Sequence, residues 1–286
     1  MADKKISSSK RTVLITGCSD GGLGAALAIA FHEAGLHVFA TARNPSKMTQ
    51  VASLGIETLT LDVQSDSSIA DCVSKLSDLD ILVNNAGAAY SMPVSDLSIP
   101  KAKDIFDLNV WSYLAMTQAF LPLLLKSKGM IVNQTSIAAV TTIPFQSTYN
   151  ASKAAMAMFS DSQRLELGPF GITVVDLKTG AVVSNLIKNQ KEATQASLPK
   201  GSIYEPAKEA VERTMRGDAF EDVGMPAQQW AGLVVQDLLR KRPPPNVWRG
   251  AKAGLAWVGT VLPFGMLDGM MKKMTGIDVV EQMVRK

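Results

Sequence analysis

Six short apolar runs punctuate the chain: TVLIT (12–16), HVFAT (37–41), ETLTL (57–61), DILVN (80–84), MIVNQ (130–134) and ITVVDL (172–177). They are rich in β-branched residues and carry little polar alternation, as strands covered on both faces do. Between them the apolar positions take helical spacing, over Leu23–Ala34, Pro45–Leu54, Ser67–Leu76, Lys101–Lys126 and Tyr149–Leu167. Strands that alternate with helices run parallel, because each helix carries the chain back to the starting edge. The pattern predicts an α/β fold: a single-domain, Rossmann-type doubly wound parallel sheet with helices on both faces. Such sheets bind ligands beyond the carboxyl ends of their strands.

The first of those ends is bare. LITGCSDGGLGAALAIA (14–30) leads a strand through glycines straight into an alanine-rich helix. Glycines there let backbone N–H groups approach a phosphate, and a helix N-terminus favours its negative charge. An ordinary tight turn has the same composition, so further residues must decide.

Those residues follow in order. Asn84-Asn85-Ala86-Gly87 closes the fourth strand, Asn109 lies in the next helix, and Ser136 ends the fifth strand. Tyr149-Asn150-Ala151-Ser152-Lys153 opens a helix on which Tyr149 and Lys153 share one face at i, i+4. With TGxxxGxG, NNAG, Asn, Ser and YxxxK in this order, residues 10–240 resemble the short-chain dehydrogenase/reductase superfamily. The TGCSDGGLG loop with the TARNP stretch is most similar to the fungal-type acyl-dihydroxyacetone-phosphate reductases, and more distantly to the hydroxysteroid dehydrogenase branch. The loop departs from the superfamily pattern by one residue, with Gly21 as the insertion, so Gly17, Gly22 and Gly24 take the three glycine positions.

The resemblance implies roles. Tyr149 is the proton donor, Lys153 stabilises its phenolate and holds the nicotinamide ribose, Ser136 hydrogen-bonds the substrate oxygen, and Asn109 anchors a water. A free tyrosine has a pKa near 10, so the nearby ammonium is expected to lower it. Gly17, Ser19, Gly22, Leu23 and Gly24 form the phosphate loop, while Asn85, Ala86 and Gly87 flank the cofactor. Asp62 and Val63 lie against the adenine, unless Asp62 caps the next helix. Val182 and Ser184 follow the sixth strand, where Thr179 replaces the superfamily's proline.

Cofactor choice turns on the end of strand two. Ala40-Thr41-Ala42-Arg43-Asn44 carries no carboxylate for ribose hydroxyls, and the planar fork of Arg43 suits a 2′-phosphate, with Ser19 assisting. The expected cofactor is NADP(H).

Composition narrows the rest. The 286 residues are 47% hydrophobic and 19% charged, which fits one large domain with a variable substrate lid at 185–230 and an apolar C-terminal extension at 241–286. The net charge is +3 with scattered cations and few aromatics, a poor match to nucleic acid. Two cysteines and two histidines without a cluster offer no metal site. The start MADKKISSSK has no signal-like apolar core, so an intracellular setting is expected. AGLAWVGTVLPFGML (253–267) runs without a charge, broken by Pro263 and flanked by Arg249, Lys252, Lys272 and Lys273. It is short for a membrane span. Two readings remain: an interfacial segment lying on a bilayer, at the endoplasmic reticulum or a lipid droplet, or a cover for the substrate pocket or a subunit interface. Met266, Met270, Met271 and Met274 give a flexible apolar surface in either case.

The expected function is NADPH-dependent reduction of a ketone on an apolar or lipid-like substrate, acyl-dihydroxyacetone-phosphate reductase-like. Reduction or oxidation of a secondary metabolite or steroid-like compound, or cofactor binding without redox turnover, are the alternatives. The resemblance further implies a homodimer or homotetramer paired through the Lys101–Lys126 and Tyr149–Leu167 helices.

Overall fold

The computed structural model of the chain describes residues 10–185, 197–218 and 224–285. Its centre is a seven-stranded, wholly parallel sheet. In chain order the strands are β1 (Thr12–Thr16), β2 (His37–Ala42), β3 (Glu57–Thr60), β4 (Ile81–Asn84), β5 (Met130–Gln134) and β6 (Thr173–Thr179). A two-stranded ribbon of β7 (Val182–Val183) and β8 (Met225–Pro226) precedes β9 (Asn246–Arg249). The spatial order is β3-β2-β1-β4-β5-β6-β9, with the switch between β1 and β4. A crevice for a ligand opens at such a switch point.

The helices are α1 (Leu23–Glu33), α2 (Thr49–Ser53), α3 (Asp66–Ser74), α4 (Ile99–Phe106), α5 (Ser112–Ser127), α6 (Ser147–Leu167), α7 (Lys208–Met215), α8 (Ala227–Leu238), α9 (Ala253–Gly259), α10 (Asp268–Thr275) and α11 (Ile277–Val284). The apolar runs acquire their two-sided character from this layering. In β1, Val13 and Ile15 join the core under α1 and α8, while Leu14 joins the opposite core with Met116, Phe120 and Leu124 of α5. The central strands are therefore covered on both faces, and the polar side chains they bury, Asn84 and Asn133 among them, find hydrogen-bond partners there. The alanine-rich α1 buries Ala25, Ala26 and Ala28, which lets it lie close to the sheet and to α8.

Three sequence-based boundaries need correction. The domain does not end at 240, because Asn246–Arg249 is the seventh strand and pairs in parallel with Asp176–Thr179. Its core-facing content is little more than Val247, and Pro243–Pro245 precede it, so no apolar run announces it. The lid expected at 185–230 overlaps α8, whose Trp230 is fully buried in the α1 core. Residues 186–196 and 219–223 of that stretch lie outside the described residues. Finally, the helix expected over Lys101–Lys126 is two helices joined through a π-helical turn at Asp107–Trp111.

The segment after β9 packs back over the domain. Thr214 of α7 donates to the Thr275 carbonyl at 2.9 Å, and Ile277 and Val280 of α11 join a small core with Phe145, Val211 and Met215. This segment is thus packed on α7 and on Phe145.

Candidate active site

The β1–α1 turn is shaped by close approach. Gly17 has φ +75°, and a Cβ on it would lie 2.9 Å from the Ala86 Cα. A Cβ on Gly24 would stand 2.5 Å from the Gly17 carbonyl oxygen, so Gly24 lets the helix close on the turn. The inserted residue has a local use. Gly21 also has positive φ, and the turn thrusts Asp20 sideways: its carboxylate accepts from Thr49 N, Thr49 Oγ1 and Gln50 N at 2.9, 2.6 and 3.1 Å. Asp20 thus caps α2 and ties the loop to the segment after β2.

The NNAG segment is held to the same turn. Asn85 Nδ2 donates to the Thr16 carbonyl at 2.6 Å, and Thr16 Oγ1 accepts from the Asn85 and Ala86 amides, each at 2.9 Å. Asp62 does not cap the following helix: Ser65 does so, while Asp62 Oδ1 accepts from Gln64 N at 3.1 Å.

A single cavity of about 1000 Å³ runs along these strand ends. Gly17, Ser19, Gly22 and Leu23 line it from the first turn, Arg43 from β2, and Asp62 and Val63 from β3. Asn85, Ala86 and Gly87 line it beyond β4, Ser136 beyond β5, Tyr149 and Lys153 from α6, and Val182 and Ser184 beyond β6. Two anticipated residues do not reach it. Gly24 is buried behind the turn, and Asn109 is fully buried behind Leu108. Lys47 and Gln134, which the sequence reading passed over, also line it, as do Thr179 and, from the C-terminal segment, Lys252, Leu255, Leu267, Met270, Met271 and Met274. Lys47 carried a faint signal, four residues after Arg43 in a proline-led turn.

Asn109 sits in the π-helical turn, an element frequent at functional sites. Its Nδ2 donates to the Ala88 carbonyl at 2.9 Å and to Ser152 Oγ at 3.0 Å, and its Oδ1 accepts from Ala88 N at 3.0 Å. Ser152 Oγ donates in turn to the Tyr149 carbonyl at 2.8 Å. Asn109 therefore fastens the start of α6 to the loop after β4. Gly87 completes the contact, since a Cβ there would lie 3.0 Å from Asn109 Oδ1.

Lys153 is buried and donates from Nζ to the Gln134 carbonyl at 2.8 Å, with the Tyr149 and Tyr113 ring centres 5.9 and 5.5 Å away. Burial pulls its ammonium down to about 8, against the opposing charge of Asp176. The expected depression of Tyr149 is not found. Burial raises its phenol above the ordinary value, and the Ser136 hydroxyl works against that rise. The reason is burial: taking the phenolate out of water outweighs the hydrogen bond from Ser136. Tyr149 is accordingly protonated at neutral pH.

The site accommodates a dinucleotide on its own features. The glycine turn leaves backbone bare where a phosphate would lie. Gln134 Oε1 and Thr179 Oγ1 are buried without a partner, and both residues line the cavity. Buried polar atoms of this kind call for a ligand's hydrogen-bonding groups.

Comparison with known proteins agrees with this geometry. Residues 11–195 match the family model described as short chain dehydrogenase. A short-chain dehydrogenase/reductase of Pestalotiopsis microspora is 63% identical over 278 residues, spanning 97% of this chain and 98% of that one. The NADPH-dependent 1-acyldihydroxyacetone phosphate reductase of Schizosaccharomyces pombe is 35% identical over 268 residues, spanning 89% and 90%. The crystal structure of a short-chain dehydrogenase from Streptomyces avermitilis superposes with a TM-score of 0.75 at 26% identity, spanning 96% of this chain and 98% of that one. The chain belongs to the short-chain dehydrogenase/reductase superfamily and is an oxidoreductase of CH–OH and C=O groups that works with a nicotinamide cofactor.

Proposed function

We propose that this protein is an NADP(H)-dependent ketoreductase of an apolar or lipid-like small molecule, of the acyl-dihydroxyacetone-phosphate reductase kind, with Tyr149 as proton donor. One observation carries the proposal. A single cavity carries Arg43 and Lys47 beyond β2, holds Ser136, Tyr149 and Lys153 in its wall, and is lined by Leu255, Leu267, Met270 and Met274 of the C-terminal segment.

Beyond β2, Arg43 and Lys47 flank a loop whose own carboxylate, Asp20, is engaged by Thr49 and Gln50. Two cations beside an acid that is already occupied favour a ribose 2′-phosphate over ribose hydroxyls. The name of the S. pombe relative, an NADPH-dependent enzyme, supports the same choice. Gly17, Ser19, Gly22 and Leu23 are the residues for the pyrophosphate, with Ser184 near the phosphates, Asp62 and Val63 for the adenine, and Val182 for the nicotinamide carboxamide.

The bound cofactor supplies the hydride. Tyr149 Oη gives its proton to the substrate oxygen, and the raised affinity of the buried phenol keeps that proton in place until charge develops. Ser136 Oγ donates a hydrogen bond to the same oxygen as it becomes negative. Lys153, still cationic at neutral pH, stabilises the resulting phenolate, and Asn109 holds the start of α6 so that these groups keep their spacing.

Among the described residues the substrate end contains one cation, Lys252, set among apolar side chains, which suits an apolar carbonyl compound bearing an acidic group. The cavity is also roomy enough for a polycyclic body, which favours a secondary-metabolite or steroid-like ketone as the second reading. Trp111, Met158 and Leu165 are exposed on the α4–α6 side and suit pairing of protomers. Trp257, Val261, Phe264 and Met266 are exposed between α9 and α10, and suit peripheral contact of a cytoplasmic enzyme with an endoplasmic-reticulum or lipid-droplet surface.

NADPH oxidation against a ketone panel tests the proposal. Turnover of acyl-dihydroxyacetone phosphate is the expected result. Turnover of polycyclic ketones alone moves the assignment to the second reading, and silence across the panel with measured NADPH binding overturns both.

A further inference from the structure

Beneath the catalytic helix lies an ion pair that the proposed reaction does not use. Asp176 and Lys178 alternate along β6 and so project to one face of the sheet. Their side chains are 2% and 8% exposed, and Lys178 Nζ pairs with Asp176 Oδ2. Lys178 also donates to Asn246 Oδ1 at 3.0 Å and lies 5.5 Å from the Trp248 ring centre, both on β9. Thr135 Oγ1 donates to Asp176 Oδ1, and Thr135 N donates to the Leu177 carbonyl at 2.9 Å.

The place of that contact matters. Gln134, Thr135 and Ser136 are consecutive: the first offers its carbonyl to Lys153, the second is gripped by Asp176, and the third is the site hydroxyl. A buried ion pair is weak evidence for stability, because desolvation of the two ions offsets their attraction. Two apolar residues of similar size would hold β5, β6 and β9 together at least as well. What they would not supply is a carboxylate acting on the lysine, one that burial raises and the Lys178 pairing holds down.

We propose that Asp176 is a positioning residue for Lys153 and Ser136: it anchors the Gln134–Ser136 strand end through Thr135 and bears the carboxylate that acts on the buried lysine. The proposal rests on the reading of Tyr149, Ser136 and Lys153 as the reacting set. The titratable groups around the lysine are Tyr149 of α6, Tyr113 of α5, and Asp176, itself paired with Lys178 on β6; Asp161 of α6 acts on Asp176. Gln134 and Asn109 bring no ionisable group. Burial lowers the lysine and Asp176 raises it, so the carboxylate is the group that opposes desolvation.

Two substitutions separate charge from anchoring. Asp176→Asn keeps the shape and an acceptor for Thr135 while removing the charge. Thr135→Val keeps the charge and removes the anchor. In the Asp176→Asn protein the alkaline limb of the kcat/KM profile moves to lower pH by about one unit, as expected for loss of a neighbouring opposite charge. In Thr135→Val, kcat falls and the limb stays in place. Lysine-labelled NMR reads the Lys153 titration without substrate, and Asp176→Asn moves it in the same direction. If Asp176→Asn does not fold, Asp176→Asn/Lys178→Met leaves no lone buried charge and carries the same expected direction. A limb and an NMR titration both unmoved in the charge-removing variant overturn the proposal. Should the wild type reduce no ketone while the NMR titration still moves, the functional reading fails and the electrostatic role of Asp176 stands.

Discussion

Lys153 Nζ donates to the Gln134 carbonyl at 2.8 Å, and the Tyr149 ring centre lies 5.9 Å from the same atom. The lysine is therefore fixed by the sheet and acts on the tyrosine through space. This arrangement has a stability cost. Lys153 titrates at about 8 in the folded protein against 10.5 ordinarily, so between these values the unfolded chain binds the extra proton. Folding stability from this group then rises as pH increases from about 8 to about 10.5, at about 1.4 kcal/mol per pH unit and by up to about 3 kcal/mol in all. Chemical denaturation of wild type and Lys153→Met at pH 7.5 and pH 10 checks this. The wild type gains on the variant at the higher pH, and a constant difference would refute the assignment.

Tyr149→Phe removes the proton donor and little else. NADPH reduction of any accepted ketone falls by about 10²-fold or more, the typical contribution of a positioned acid. NADPH affinity, read by fluorescence titration, stays within about threefold of wild type.

Arg43 and Lys47 stand together at the loop end of the cavity. Arg43→Ala weakens NADPH by about tenfold or more, the worth of a charge-assisted hydrogen bond, and leaves NADH nearly unchanged. Lys47→Ala has the same sign with a smaller effect. Equal losses for both cofactors would remove these residues from 2′-phosphate recognition.

Two glycines differ in what surrounds them. Gly24→Ala forces a Cβ to within 2.5 Å of the Gly17 carbonyl oxygen and costs about 1–3 kcal/mol of stability. Gly232→Ala, inside α8 with nothing within 4 Å of the new Cβ, adds up to about 1 kcal/mol. Thermal melts of the two variants move in opposite directions.

Lys252 is the one cation at the substrate end of the cavity among the described residues. Lys252→Glu lowers kcat/KM for a phosphorylated or carboxylated ketone about tenfold more than for its neutral ester, the scale of one charged hydrogen bond, with NADPH affinity unchanged. An equal loss on both substrates would assign the residue to packing.

Legibility in the sequence followed burial. The runs 12–16 and 130–134 coincide with β1 and β5, because central strands must be apolar on both faces and so declare themselves. Ser136, Tyr149 and Lys153 were readable because their spacing spans one strand end and one helical turn. β9 was hidden, since an edge strand with one strongly buried apolar side chain writes almost no pattern. The π-helical turn was hidden for a different reason: Asp107–Trp111 has helical composition, and only the hydrogen-bond register tells it apart. The capping task of Asp20 and the carbonyl partner of Lys153 are tertiary facts without local signature. The raised phenol of Tyr149 belongs with them, because burial depth is not written in i, i+4 spacing.

Lys252, Leu255, Ala256, Leu267, Met270, Met271 and Met274, which line the cavity, all come after β9. As the chain leaves the ribosome from its amino end, the loop, the switch point and the α6 residues are all made before this last segment exists. The residues that line the dinucleotide crevice are thus synthesised before these apolar side chains. Apolar surface is then shielded late, by residues that also define what the mature enzyme admits. Truncation by a late stop codon after Arg249 would strip Leu255, Leu267, Met270, Met271 and Met274 from the cavity wall and leave Phe145, Val211 and Met215 without the cover of Ile277 and Val280.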